Sequence, residues 1–141
     1  MKIHPIPPGL WCVPSALVAL TGDDWESVIQ PALNRHAGAD TLTGMVVGST
    51  MQAAIATLQE RRYKVLRCKT LGQSRRRLDK VATWAATKYP GESFLVALPE
   101  HAAALHNGRI YDSWTPHGAP AAEHAFKNAS VSDLYLVRKG G

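Results

Sequence analysis

Apolar residues in the first third of the chain recur at helical intervals. Val13, Ala16, Leu17 and Leu20 follow an i, i+3, i+4, i+7 pattern that predicts a short buried helix over Cys12 to Leu20. Pro14 is tolerated there because the first helical turn has no N–H bond to lose, and Gly22 is a suitable stop. Asp23 or Asp24 can cap a second helix with Trp25, Val28, Ile29 and Leu33 on one face, which Pro31 must end or kink. The Gly- and Thr-rich stretch 37 to 48 reads as a loop. Ser49 with Gln52 then forms a capping box for a third helix that turns Met51, Ala54, Ile55 and Leu58 inward.

The period changes after that helix. Tyr63 to Cys68 alternates as a strand, and Leu78, Val81, Ala82 and Ala85 predict a fourth helix from about Ser74 to Lys88, closed by Pro90 and Gly91. Ser93 to Leu98 is a strand, His101 to His106 and Arg109 to Trp114 form a hairpin around Asn107-Gly108, and Leu134 to Val137 supplies a last strand. Helices early and antiparallel strands late predict an α+β fold rather than a parallel α/β sheet. At 141 residues, the expectation is a single domain over 1–141 with a core of ordinary size.

Composition narrows the function classes. No apolar run is long enough to span a bilayer and the start has no signal-peptide character, so the expected location is cytoplasmic, the host cytoplasm if the protein is phage-encoded. The net charge is +5, and the basic residues concentrate between 61 and 80: Arg61, Arg62, Lys64, Arg67, Lys69, Arg75, Arg76, Arg77 and Lys80 are opposed only by Asp79. The Arg75-Arg76-Arg77 run usually marks a solvated helix end. Docking of an acidic protein partner is favoured over nucleic acid, because no recognisable nucleic-acid motif or aromatic interleaving accompanies the charge.

Two cysteines, Cys12 and Cys68, are too few for a disulfide scaffold and lie at no zinc-binding spacing, so neither a metal site nor a cofactor is expected. Cys68 has the context of a strand core residue. Cys12 instead opens a helix, where unpaired N–H groups and the helix dipole favour a thiolate. Nucleophilic work also needs a base and a group that orients the base. A two-residue turn at Asn107-Gly108 sets His101 opposite Trp114 and Ala103 opposite Asp112. His101 and Asp112 are then diagonal neighbours on one face, roughly 5 to 8 Å apart at the backbone. A register slip of one residue would exchange Asp112 for Ser113. Trp11 and Trp114 are candidate walls of a substrate cleft. His106, His117 and His124 show no convincing ligand spacing, and His4 and His36 read as surface residues.

The segment Trp11-Cys12-Val13-Pro14-Ser15-Ala16-Leu17, followed late in the chain by His101 and Asp112 around a Gly-containing hairpin, resembles a papain-like cysteine peptidase. Cys-x-Pro-x-Ala-Leu is similar to the nucleophile helix of the C39-like branch. The stretches Phe94 to His101 and Asn107 to Trp114 look like those of small papain-fold proteins of bacteriophage and bacterial genomes. The resemblance covers most of the chain in element order, and about thirty residues carry it. It implies a papain-like fold with Cys12 as nucleophile, His101 as general base and acid, and Asp112 as the group orienting His101.

One departure stands out. Such enzymes usually carry a Gln shortly before the nucleophile to donate to the oxyanion, and Met1 to Trp11 contains neither Gln nor Asn. The Cys12 backbone N–H supplies one donor; a backbone amide, Trp11 or protonated His4 is left as the second. The leading expectation is a thiol hydrolase, a cysteine peptidase or amidase acting on a protein or peptide. The alternative is a catalytically weak papain-fold binding module that docks an acidic partner through residues 61–80.

Overall fold

The computed structural model describes residues 2–37, 48–68 and 77–140. Helix α1 (Cys12–Thr21) begins at Trp11, whose backbone is extended, and ends at Gly22 in the left-handed conformation. Asp24 caps the next helical stretch by accepting the Ser27 N–H. That stretch opens with a π-helical turn (Trp25–Ile29) and runs on without a break into α2 (Gln30–Ala37). Pro31 therefore does not end the helix: the widened turn, where the Gln30 N–H reaches back to Trp25, precedes the proline and leads into an ordinary α-helix.

Helix α3 (Gly48–Glu60) buries Met51, Ala54 and Leu58 as its spacing predicts, with Ile55 partly covered. The expected loop over 37 to 48 falls largely outside the described residues, as does the side chain of Ser49. Helix α4 (Leu78–Lys88) buries Leu78, Val81, Ala82 and Ala85. It starts later than the expected Ser74; Ser74, Arg75 and Arg76 lie outside the described residues, and Arg77 is extended backbone that pairs with Ser130.

Among the described residues, six antiparallel strands form one sheet: β1 (Tyr63–Arg67), β2 (Ser93–Leu98), β3 (His101–His106), β4 (Arg109–Tyr111), β5 (Ala119–Pro120) and β6 (Asp133–Lys139), ordered β1-β6-β2-β3-β4-β5. The fold is α+β. Helices cover both faces: α1 to α3 pack on the face presenting Leu95, Ala97, Ala102 and Ala104, and α4 on the face presenting Phe94, Val96, Ala103 and Leu105. This double cover explains why β2 is apolar without alternation from Phe94 to Leu98, with every residue of the strand buried. Among the described residues, no helix is long and apolar enough to cross a membrane.

The β3–β4 hairpin fixes the register on which the site depends. Asn107 and Gly108 both have positive φ (49° and 78°), as a tight two-residue turn requires, and His106 faces Arg109, Leu105 faces Ile110 and Ala104 faces Tyr111. The register is the expected one, but the ladder stops at Tyr111. The expected strand to Trp114, with its His101–Trp114 and Ala103–Asp112 pairs, does not form, because the Asp112 side chain turns the chain on itself. Its Oδ1 accepts the N–H groups of Trp114 (3.0 Å) and Thr115 (2.8 Å).

Candidate active site

Cys12 is half-buried at the first position of α1. A helix's first N–H groups have no acceptor within the helix, so the Cys12 side chain sits at the positive end of the α1 dipole. Pro14 adds no donor of its own, and the Ser15 N–H closes the first turn on Trp11 (2.9 Å). At this end of the sheet, where β3 begins immediately after a two-residue turn, the Cys12 side chain is hydrogen-bonded to His101.

His101 is buried and held from its other side. Its Nε2 lies 2.9 Å from Oδ2 of Asp112, which leaves Nδ1 for the thiol. Burial alone would disfavour a charged imidazole. The Asp112 hydrogen bond, joined by that of Cys12 and by the attraction of both groups, reverses this and lifts the His101 pKa to about 9. At neutral pH the ring is an imidazolium.

Asp112 is fully buried and multiply satisfied. Besides the two backbone N–H groups, Oδ1 has the Thr115 hydroxyl 2.8 Å away, and Oδ2 receives both His101 and His124, the latter at 2.8 Å. Burial opposes ionisation, but the donors from His101, Thr115 and His124 outweigh it and hold the carboxyl well below the usual range. The aspartate is a fixed negative charge.

His124 was not singled out by its spacing. It lies in the chain between β5 and β6, just after a short 3-10 turn (Ala121–Glu123), and no strand or helix period marks it. The Phe126 N–H donates to its Nδ1 (3.0 Å), so its ring proton sits on Nε2 and points at Asp112. The only available signal in the sequence was a second His following the Asp, which is too common to carry weight.

His101, Asp112 and His124 also form a compact donor set, two imidazoles and a carboxylate with ligand atoms within 4.8 Å of one another. This is chemistry that suits zinc. The 2.8 and 2.9 Å Nε2···Oδ2 separations are those of direct hydrogen bonds to one oxygen. They are too short for tetrahedral ligation at ~2.0–2.1 Å from each atom, and the buried cluster reads as a hydrogen-bonded array.

A cleft of about 490 Å³ opens over Cys12 and His101. Trp11 and Trp114, the expected wall residues, both line it and are largely exposed (56% and 63%). Trp114 stacks on His101 with ring centres 5.3 Å apart, and Phe126 approaches the same ring at 4.9 Å. Among the described residues, no Gln or Asn lines the cleft.

His4 does not belong to this site. Its N–H donates to Ala19 and its ring packs against Gly22, at the opposite end of a ten-residue helix about 15 Å long, so it cannot serve as an oxyanion donor for Cys12. His36 pairs with Glu60. Cys68 follows β1, half-buried and packed on the α4 side of the sheet; burial pushes its thiol up. Arg77 pairs with Asp79.

Comparison with protein-family models, curated proteins and solved structures finds no match to this chain.

Proposed function

We propose that this protein is a thiol hydrolase of papain-like type, a cysteine peptidase or amidase that cleaves an amide bond of a protein or peptide through Cys12, His101 and Asp112. The observation that carries the reading is the chain of contacts from a thiol at the first position of α1 to a buried imidazole to a buried carboxylate, opening into a cleft. Cys12 and His101 form the ion pair from which the thiolate attacks the carbonyl carbon, making the C–S bond. The oxyanion meets the Cys12 backbone N–H. As the C–N bond breaks, the His101 proton passes to the leaving amine. His101 then takes a proton from water as the water attacks the thioester, and the C–S bond breaks to release the acid and restore the Cys12 thiolate beside the protonated ring. Asp112 keeps the ring oriented throughout and favours its protonated form whenever it holds the proton.

The test is alkylation by iodoacetamide near neutral pH. Cys12 should be labelled much faster than Cys68, and His101→Ala should slow it; equal, slow labelling of both cysteines overturns the reading.

A second reading is favoured by the lining of the cleft, which among the described residues includes no Gln or Asn side chain. Loss of one oxyanion donor typically costs ~10²–10³ in rate. A catalytically weak papain-fold module, docking an acidic partner through the basic stretch that includes Arg75, Arg76 and Arg77, would keep its biological effect in Cys12→Ala. It would lose that effect when the three arginines are reversed to Glu.

A further inference from the structure

The cleft beside Cys12 differs in charge from the rest of the protein. The chain carries +5, yet among the described residues no Lys or Arg lines the cleft. Beside the Cys12 and His101 pair, the charged side chain that lines it among the described residues is that of Glu100.

Glu100 is held there at some cost. Pro99 and Glu100 form the two-residue connection between the paired residues Leu98 and His101, and Glu100 has φ +55°. That conformation ordinarily selects glycine or asparagine after a proline. A β-carbon in this region strains the backbone, and strained non-glycine residues concentrate at functional sites. A glycine would relieve the turn; a glutamate instead places a carboxylate at the mouth of the cleft, one residue from His101. It is exposed and engaged in no ion pair among the described residues.

The remaining walls suit the same ligand. Trp11 and Trp114 present exposed indoles, and Phe126 lies behind them against Trp114 at 5.3 Å between ring centres. Aromatic faces attract cations, guanidinium above all, which stacks on a ring while its N–H groups bond a carboxylate. We propose that the cleft recognises the cationic side chain of a substrate peptide, an arginine or lysine stacked on Trp11 or Trp114 and paired with Glu100. This inference rests on the hydrolase reading for its meaning, but it is tested by binding alone.

The experiment uses Cys12→Ala protein, which needs no working nucleophile, and follows tryptophan fluorescence. It is titrated with end-capped alanine tetrapeptides carrying arginine, its uncharged isostere citrulline, or phenylalanine at each position in turn. At one position at least, the arginine peptide should bind roughly tenfold tighter than the citrulline peptide. Glu100→Gln should shrink that ratio to about twofold, each ratio being internally normalised against changes in folding. Equal binding of arginine and citrulline peptides overturns the proposal, as does tighter binding of phenylalanine, an unchanged ratio in Glu100→Gln, or no saturable binding of any peptide. Fast, His101-dependent alkylation of Cys12 alongside such a result would leave the hydrolase reading standing and remove only the substrate class.

Discussion

Nε2 of His124 lies 2.8 Å from Oδ2 of Asp112, the same oxygen that His101 reaches at 2.9 Å. Asp112 thus holds two imidazoles at once, and one of them does not touch the cleft: His124 is not among its lining residues. On the hydrolase reading it is a positioning residue. Removing a buried donor from a charged acceptor costs ~1–3 kcal/mol. We expect His124→Ala to lose stability of that order in denaturant unfolding and to slow iodoacetamide labelling of Cys12. A glutamine offers both an N–H donor and an acceptor, so His124→Gln should recover most of the labelling rate. Equal rates in both variants would assign His124 a packing role only.

The two ionised partners predict opposite pH limbs. The His101 pKa is raised in the folded state to about 9 from 6.5, so the stability its protonation contributes is complete below pH 6.5 and disappears as pH climbs through about 9. Asp112 is shifted the other way, and its contribution is present above about pH 3.8 and lost as pH falls further. Unfolding free energy should therefore decline between pH 7 and 10, and imidazole NMR of His101 should titrate near pH 9. A midpoint at its ordinary value would mean that the Cys12 and Asp112 contacts do not hold the charge.

How much of this was legible in the sequence depended on whether local or tertiary forces set each feature. Asn107-Gly108 determines its turn through its own φ preferences, so the hairpin register and the approach of His101 to Asp112 followed from spacing. The length of β4 did not, because the Asp112 side chain competes for the backbone N–H groups that would have extended the ladder. Pro31 marked a helix end by its own chemistry, and a π-turn accommodated it. His124 and Phe126 come from an irregular stretch with no period to read, and only the packing of that stretch over His101 gives them a place. Nor does composition disclose that α4 covers the second face of the sheet; the unbroken apolar run of β2 was its one trace.

The far end of α1 offers a test of how the fold supports the site. Gly22 has φ +72°, and a β-carbon there would come within 2.7 Å of the His4 ring, whose backbone is tied to Ala19. Gly91 has a similar φ of +78° with open space around it. Gly91→Ala should thus report the conformational cost alone, ~1 kcal/mol, and Gly22→Ala that cost plus the displacement of His4, ~2 kcal/mol or more. The difference is read from denaturant midpoints at equal slope. Equal losses would show that His4 yields freely.

Asp112→Asn separates the charge from the shape of the carboxylate. With its oxygen retained by the Trp114 and Thr115 N–H groups, the new amide would turn its own N–H₂ toward the Nε2–H groups of His101 and His124, setting donor against donor in a fully buried pocket. Breaking such a pair costs ~3–5 kcal/mol. The burial that opposes a charged His101 remains, whereas the contact that chiefly offsets it is gone, so the His101 pKa should fall well below about 9. Iodoacetamide labelling of Cys12 at pH 7 should then slow in the fraction that remains folded, and the NMR titration of His101 should move to lower pH in the same variant. If labelling and titration stay as in the unaltered protein while stability drops, Asp112 serves the fold and has no part in charging the imidazole.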